Sequence, residues 1–186
     1  MNQSRFQLSD TYNGAHDNCI KQWASAAKAW GKPFFLRFDW EMNGWWFPWA
    51  ERTTSSGSLS KGNQPDDYVK AWRHVHDLFA QVGANKATWV WCPNKEGWPH
   101  APLTQLYPGD GYVDWTCVDG FNSGTARTSG WQSSAQVFQQ SYNDLLVLAP
   151  SKPILIGEFA SGEDGVRKRI GSRTPSARNY PNVSLR

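Results

Sequence analysis

Pro33-Phe34-Phe35-Leu36-Arg37-Phe38-Asp39-Trp40-Glu41-Met42-Asn43-Gly44 carries an apolar run into a glutamate, and Lys152-Pro153-Ile154-Leu155-Ile156-Gly157-Glu158-Phe159-Ala160 repeats that pattern late in the chain. Near-continuous apolar runs mark strands buried on both faces, as in parallel sheets covered by helices, and ligands of such sheets gather at the carboxyl ends of the strands. Each stretch therefore puts a carboxylate at a strand mouth. Two glutamates meeting there predict an acid/base pair.

Working outward, Ile20, Trp23, Ala24, Ala27 and Trp30 keep helical spacing, with Asp17 placed as a cap and Gly31 as the stop before the first strand. After a loop from Trp45 to Gln64, Pro65-Asp66-Asp67 opens a second helix that presents Tyr68, Trp72, Val75, Phe79 and Val82 on one face and ends at Gly83. A strand over Thr88 to Cys92 follows. Pro93 to Gly111 reads as loop, Tyr112 to Asp119 contains a third strand, and a polar loop leads to Trp131. Ala135, Phe138, Tyr142, Leu145 and Ala149 form a third helical stripe before the fourth strand. Strands separated by helices imply a parallel sheet, and long loops confined to the strand exits match the active face of a (β/α)₈ barrel. No internal repeat or low-complexity block interrupts this order.

Residues i, i+2 and i+4 of a strand share a face. The first strand then lines up Arg37, Asp39 and Glu41, and the fourth lines up Ile154, Ile156 and Glu158. Both glutamates are expected to crown the barrel interior unless a bulge shifts the alternation by one.

With 186 residues, 15% of them aromatic, the chain has the material for a real core. Val166 to Arg186 holds six basic residues and no acidic one, which leaves 13 basic against 16 acidic residues in the rest. The basicity belongs to the tail, which lacks any nucleic-acid recognition motif, so nucleic acid is not an expected partner. Cys19, Cys92 and Cys117 have no metal-knuckle spacing and read as buried thiols; Cys92 and Cys117, on consecutive predicted strands, are the pair able to bridge in an oxidising compartment. His74 and His76 are two apart on a helix and do not face one another, so no metal site is proposed. The first residues show no signal-peptide run, and no stretch reaches membrane-spanning length, so neither an export address nor a membrane partner is expected.

Arg37-Phe38-Asp39-Trp40-Glu41-Met42-Asn43-Gly44-Trp45-Trp46-Phe47-Pro48-Trp49 resembles the acid/base segment of glycoside hydrolase family 26, the β-mannanase family. Trp89-Val90-Trp91-Cys92-Pro93-Asn94, then Tyr107-Pro108-Gly109-Asp110 through Val118-Asp119-Gly120-Phe121-Asn122, then Ile156-Gly157-Glu158-Phe159-Ala160 resemble the next three barrel strands in order. The resemblance implies an α/β fold, a partial (β/α)₈ barrel from about the third helix through the seventh strand. Residues 1–165 would form the incomplete catalytic barrel and 166–186 a basic C-terminal tail, with Tyr180-Pro181-Asn182-Val183 similar to the approach to the eighth strand. A closed barrel takes about 250 residues, so strands one to three and the eighth are absent or vestigial in this reading.

By the same resemblance Glu41 is the acid/base and Glu158 the nucleophile of a retaining endo-β-1,4-mannanase acting on β-mannan. Trp46 matches the position that packs against sugar beside the cleavage point. Asp119 and Phe121 fall around the nucleophile, Asn43 and Arg37 fix local geometry, and Trp45 joins the substrate-binding set. Trp40 stands where the family commonly has histidine, and Phe121 where it commonly has a tyrosine whose hydroxyl touches the nucleophile. Mixed-linkage β-glucan and β-1,3-xylan are further substrates of the family, and an inactive carbohydrate-binding remnant is the alternative outside enzymology. No cofactor is implied, and an extracellular monomer is expected.

Other side chains read as structural. Trp23, Trp30 and Trp72 lie on helical stripes and are expected in the core, and Trp89 and Trp91 pack within a strand. Trp49 stays open between packing and sugar contact. Glu51, Glu96, Glu163 and Asp164 lie in polar loops and are expected to be solvated. Asp39 is expected to pair with Arg37.

Overall fold

The computed structural model describes residues 7–51, 62–95, 102–162 and 183–184. Glu96, Glu163, Asp164 and the basic tail other than Val183 and Ser184 lie outside them. The chain divides into two compact units, Met1–Trp91 with Pro99–Asp114, and Cys92–Trp98 with Trp115–Arg186.

The first unit contains α1 (Leu8–Tyr12), α2 (Asp17–Trp30), β1 (Phe34–Leu36), α3 (Asp67–Val82), β2 (Ala87–Trp91) and α4 (Leu103–Leu106). β1 and β2 pair in parallel with Phe34 opposite Ala87. α2 and α3 both end on a left-handed glycine, Gly31 at φ 71° and Gly83 at φ 76°, a conformation that costs glycine nothing because it has no Cβ. α3 buries Tyr68, Ala71, Trp72, Val75, Leu78 and Phe79, the i, i+3, i+4 stripe that its sequence predicts. Trp72 is fully buried, and its indole N–H donates to the Tyr112 carbonyl at 3.0 Å. A large aromatic keeps such a burial stabilising only when its polar atom finds a partner.

α2 departs from expectation. Ala24 is its one buried residue, while Trp23 and Trp30 are 49% and 56% exposed. The Trp23 ring meets Phe34 edge-on at 5.7 Å and Phe79 at 5.2 Å, and Trp30 meets Phe34 at 6.1 Å. The stripe is wider than the surface these rings cover, so its outer aromatics stay in solvent.

The first strand is also shorter than its apolar run. β1 stops at Leu36, and Asp39 and Glu41 take positive φ values of 44° and 55°. Left-handed residues break the extended alternation, so Arg37, Asp39 and Glu41 do not form the expected common row. Each such non-glycine residue stores roughly 1–3 kcal/mol, and strain of this kind clusters at functional sites.

The second unit contains β3 (Trp115–Asn122), a 3₁₀ turn (Gly124–Ala126), α5 (Ser134–Leu148), β4 (Ile154–Ser161) and β5 (Val183–Ser184). β3 pairs in parallel with β4, and β4 in parallel with β5 through Ile154 and Leu155. β5 begins at Val183, the last residue of the segment that resembles the approach to an eighth strand, where the sequence reading has that strand absent or vestigial. Ser133 and Gln136 close a reciprocal capping box at the start of α5, satisfying two donors that a helix start otherwise leaves open. Among the described residues no helix is long and apolar enough to cross a membrane.

Candidate active site

In the first unit the chain leaves β1 and turns sharply at Glu41, where the Gly44 N–H donates to the Glu41 carbonyl at 2.9 Å. Glu41 and Asn43 are buried at 6% and 0% exposure. The Trp46 indole N–H donates to Glu41 Oε2 at 2.7 Å, and Trp46 remains 36% exposed. Trp45, at 57%, is more open still. One carboxylate, one indole donor and two accessible aromatic faces are therefore gathered in six residues.

Trp49 does not belong with those open faces. It donates its indole N–H to the Trp40 carbonyl at 2.7 Å and stacks on Phe47 at 4.4 Å and 13°. Trp40 in turn meets Phe47 at 5.2 Å and Trp49 at 5.4 Å. The loop folds into an aromatic knot whose ring contacts, about 0.5–1.5 kcal/mol each, hold the backbone on both sides of Glu41.

Arg37 and Asp39 do not pair. The Arg37 guanidinium lies 5.8 Å from the Trp40 ring centroid, and among the described residues no ion pair joins it to Asp39. Burial pushes the Asp39 carboxyl up to about 7.

Sequence reasoning missed how the far end of this loop is held. Glu51, expected in solvent, is buried at 5% exposure, and its Oε1 accepts from the Tyr68 backbone N–H in the first turn of α3. A helix start leaves backbone donors without partners, and this carboxylate supplies one from a distant loop. Asn63 adds hydrogen bonds to the carbonyls of Pro48 at 2.8 Å and Ala50 at 3.1 Å. The Asn-Gln-Pro-Asp-Asp cluster ahead of α3 was the available signal, since such residues commonly serve backbone groups at helix starts.

In the second unit the register of β3 and β4 is the deciding feature. Val118 pairs with Ile156, but Asp119 pairs with Glu158, so Gly157 is an extra residue in β4. A bulge of one residue reverses the alternation beyond it. Ile154 and Ile156 therefore do not share a face with Glu158, contrary to the simple alternation. Glu158 shares a face with its register partner Asp119 and with Phe121, two residues on. The opposite face is fixed by Gly120, where a Cβ would lie 2.5 Å from Phe138 Cε1 and 2.9 Å from Val137 Cγ1 of α5.

Asp119 is fully buried and Phe121 is 37% exposed. Pro93 to Lys95 run alongside, with the Asp119 N–H donating to the Pro93 carbonyl at 3.0 Å and the Lys95 N–H to the Asp119 carbonyl at 2.7 Å. Cys92 and Cys117 form a disulfide and Cys19 is exposed, whereas the sequence reads all three as buried thiols, with this bridge as the alternative. The two sulfurs and an Asp119 oxygen lie within 4.8 Å of one another, but sulfurs joined to each other are not the thiolates that hold a metal.

Asn122 ties the strand exits together: its Nδ2 donates to Ser161 Oγ at 3.0 Å, and its Oδ1 accepts from the Gln132 N–H at 2.9 Å. The expected catalytic and substrate-binding residues thus fall into two sets: Arg37, Glu41, Asn43, Trp45 and Trp46 in the segment after β1 in the first unit, and Asp119, Phe121 and Glu158 within the carboxyl halves of β3 and β4 in the second, where both strands run on past Asp119 and Glu158 instead of ending at the glutamate.

Comparison with known proteins places this arrangement. A profile of glycosyl hydrolase family 26 matches residues 9–156. Endoglucanase H from Acetivibrio thermocellus is 41% identical over 162 residues, covering 86% of this chain and 17% of that protein. Among solved structures, a GH26 β-mannanase from Bacteroides ovatus has a TM-score of 0.64 at 19% identity, covering 95% of this chain and 51% of its own. The GH26 domain of an endo-β-mannanase/endo-β-glucanase from Prevotella bryantii has a TM-score of 0.63 at 19% identity, covering 86% and 48%. The chain thus spans about half the length of these structures and a sixth of the endoglucanase. Its alternating helices and parallel strands are a partial (β/α)₈ barrel, and the chain belongs to glycosyl hydrolase family 26.

Proposed function

We propose that this chain carries the two catalytic carboxylates of a retaining endo-β-1,4-mannanase. Glu158 attacks the anomeric carbon, and the bond to the leaving sugar breaks as Glu41 gives that oxygen its proton. Glu41 then takes a proton from water, which attacks the glycosyl-enzyme and releases Glu158 as carboxylate. This chemistry needs the two carboxyl groups about 5–5.5 Å apart. The observation that supports it is the bulge at Gly157, which turns Glu158 toward the face of Asp119 and Phe121 in the carboxyl half of β4, within a chain of a glycoside hydrolase family. Trp46 and Trp45 present ring faces suited to the apolar side of a sugar. A polymeric substrate and a disulfide both favour action outside the cytoplasm.

Hydrolysis of β-mannan by the parent chain, Glu158→Ala and Glu41→Ala tests the assignment. Loss of all turnover in Glu158→Ala is expected. Glu41→Ala should slow mannan hydrolysis by about 10²–10⁴ while sparing substrates with good leaving groups. Either variant matching the parent discards its residue. Mixed-linkage β-glucan is the second reading, favoured by the 41% identity to an endoglucanase, and the same assay on that polymer separates the two. A chain that binds either polymer without turnover would be a carbohydrate-binding remnant.

A further inference from the structure

We propose that Gly44 and Trp46 form a positioning device that decides which oxygen of Glu41 carries the catalytic proton, an inference that rests on Glu41 being the acid/base. The Trp46 N–H donates to Oε2 at 2.7 Å. An indole nitrogen donates and does not accept. The contact therefore engages Oε2 in both charge states of the carboxyl, and the acid form accepts through its carbonyl-type oxygen rather than through its hydroxyl. The proton belongs on Oε1. When the glycosidic bond breaks, the O–H bond at Oε1 passes its proton to the leaving oxygen, and in the second half-reaction the same atom takes one from water.

Gly44 is what lets the indole reach. A Cβ at position 44 would lie 2.5 Å from Trp46 Cζ2, 2.6 Å from Cη2 and 2.7 Å from Cε2. The ring thus lies directly across the backbone of Gly44, braced by Trp45 at 6.3 Å and Phe47 at 6.3 Å. Gly44 is not among the positive-φ residues. Alanine there strains no backbone torsion and acts on the ring alone. The glycine between the acid/base and its tryptophans is required by the indole, not by the turn.

The test reads the contact and its consequence separately. In a ¹H–¹⁵N spectrum of the full chain, the Trp46 indole signal is the one of 12 that disappears in Trp46→Phe. It is expected to lie downfield and to move in Glu41→Gln and in Gly44→Ala. A Trp46 signal that is unchanged in Glu41→Gln overturns the proposal whether or not the chain turns over. In the assay, Trp46→Phe and Gly44→Ala should each lower kcat on polysaccharide about ten- to a hundredfold, the worth of a hydrogen bond to a charged group. The loss should shrink on aryl glycosides that need little acid assistance. Parent-like kcat in both variants overturns the device while leaving Glu41 as acid/base. A parent without hydrolysis would sink the enzymatic reading, and the indole spectra would then decide the contact by themselves.

Discussion

Glu51 has its carboxyl pushed up to about 7, chiefly by burial, with Asp67 and Asp66 adding to the rise and the Tyr68 N–H opposing it. Asp39 is raised to about 7 by burial. From their ordinary values of 4.5 and 3.8 up to about 7, the folded chain holds protons at these carboxyls that the unfolded chain has already released. Stability therefore falls as pH rises through that window. The contribution is complete below the ordinary values and gone above about 7. Urea midpoints should drop between pH 5 and pH 8, and Glu51→Gln, which keeps an acceptor for Tyr68, should flatten the slope. Midpoints that stay level or rise in the parent would contradict the buried placement. The cluster ahead of α3 signals that a helix start needs partners, but the polar loop from Glu51 to Gln64 does not show that Glu51 is the desolvated one, because its burial depends on how the loop packs on α3.

At the scale of elements, the single extra residue in β4 does more than any side chain to set the site. Gly157→Val, whose β-branched side chain favours regular extended pairing over a bulge, should bring Glu158 into line with Ile156 on the α5 side, so hydrolysis should fall sharply while far-UV dichroism still reports helix and sheet. Retained turnover would show that the bulge does not aim the carboxylate. The opposite face of the same sheet is crowded at Gly120. Gly120→Ala drives a methyl into Phe138 and Val137, and such overpacking costs about 1–3 kcal/mol. Adding Phe138→Leu should recover part of that loss, and the coupling read from a double-mutant cycle checks it. The helices were legible through their stripes and glycine stops. The exposure of Trp23 and Trp30 was not, because a stripe reports which residues are apolar and not how much of their surface a neighbour covers.

For the molecule as a whole, the Cys92–Cys117 bridge closes a separation of 25 residues and restrains the unfolded chain. Loops of this size are worth about 2–4 kcal/mol. Cys117→Ser should lower the urea midpoint by a corresponding amount, and a reductant should then have no further effect; equal midpoints for parent and variant would argue against the bridge in solution. From the sequence alone came the order of the three long helices and four longer strands, their parallel sense, and a glutamate following or within the first and last of those strands, since periodicity, glycine stops and a local motif are written in consecutive residues; the short α1, α4 and β5 were not legible, and β4 runs on past Glu158. The tertiary structure alone decided the bulge that aims Glu158, the burial of Glu51, the pairing of Cys92 with Cys117 and the indole laid across Gly44. Each of these depends on register, desolvation or steric contact between groups brought together by folding, and no local pattern carries that information.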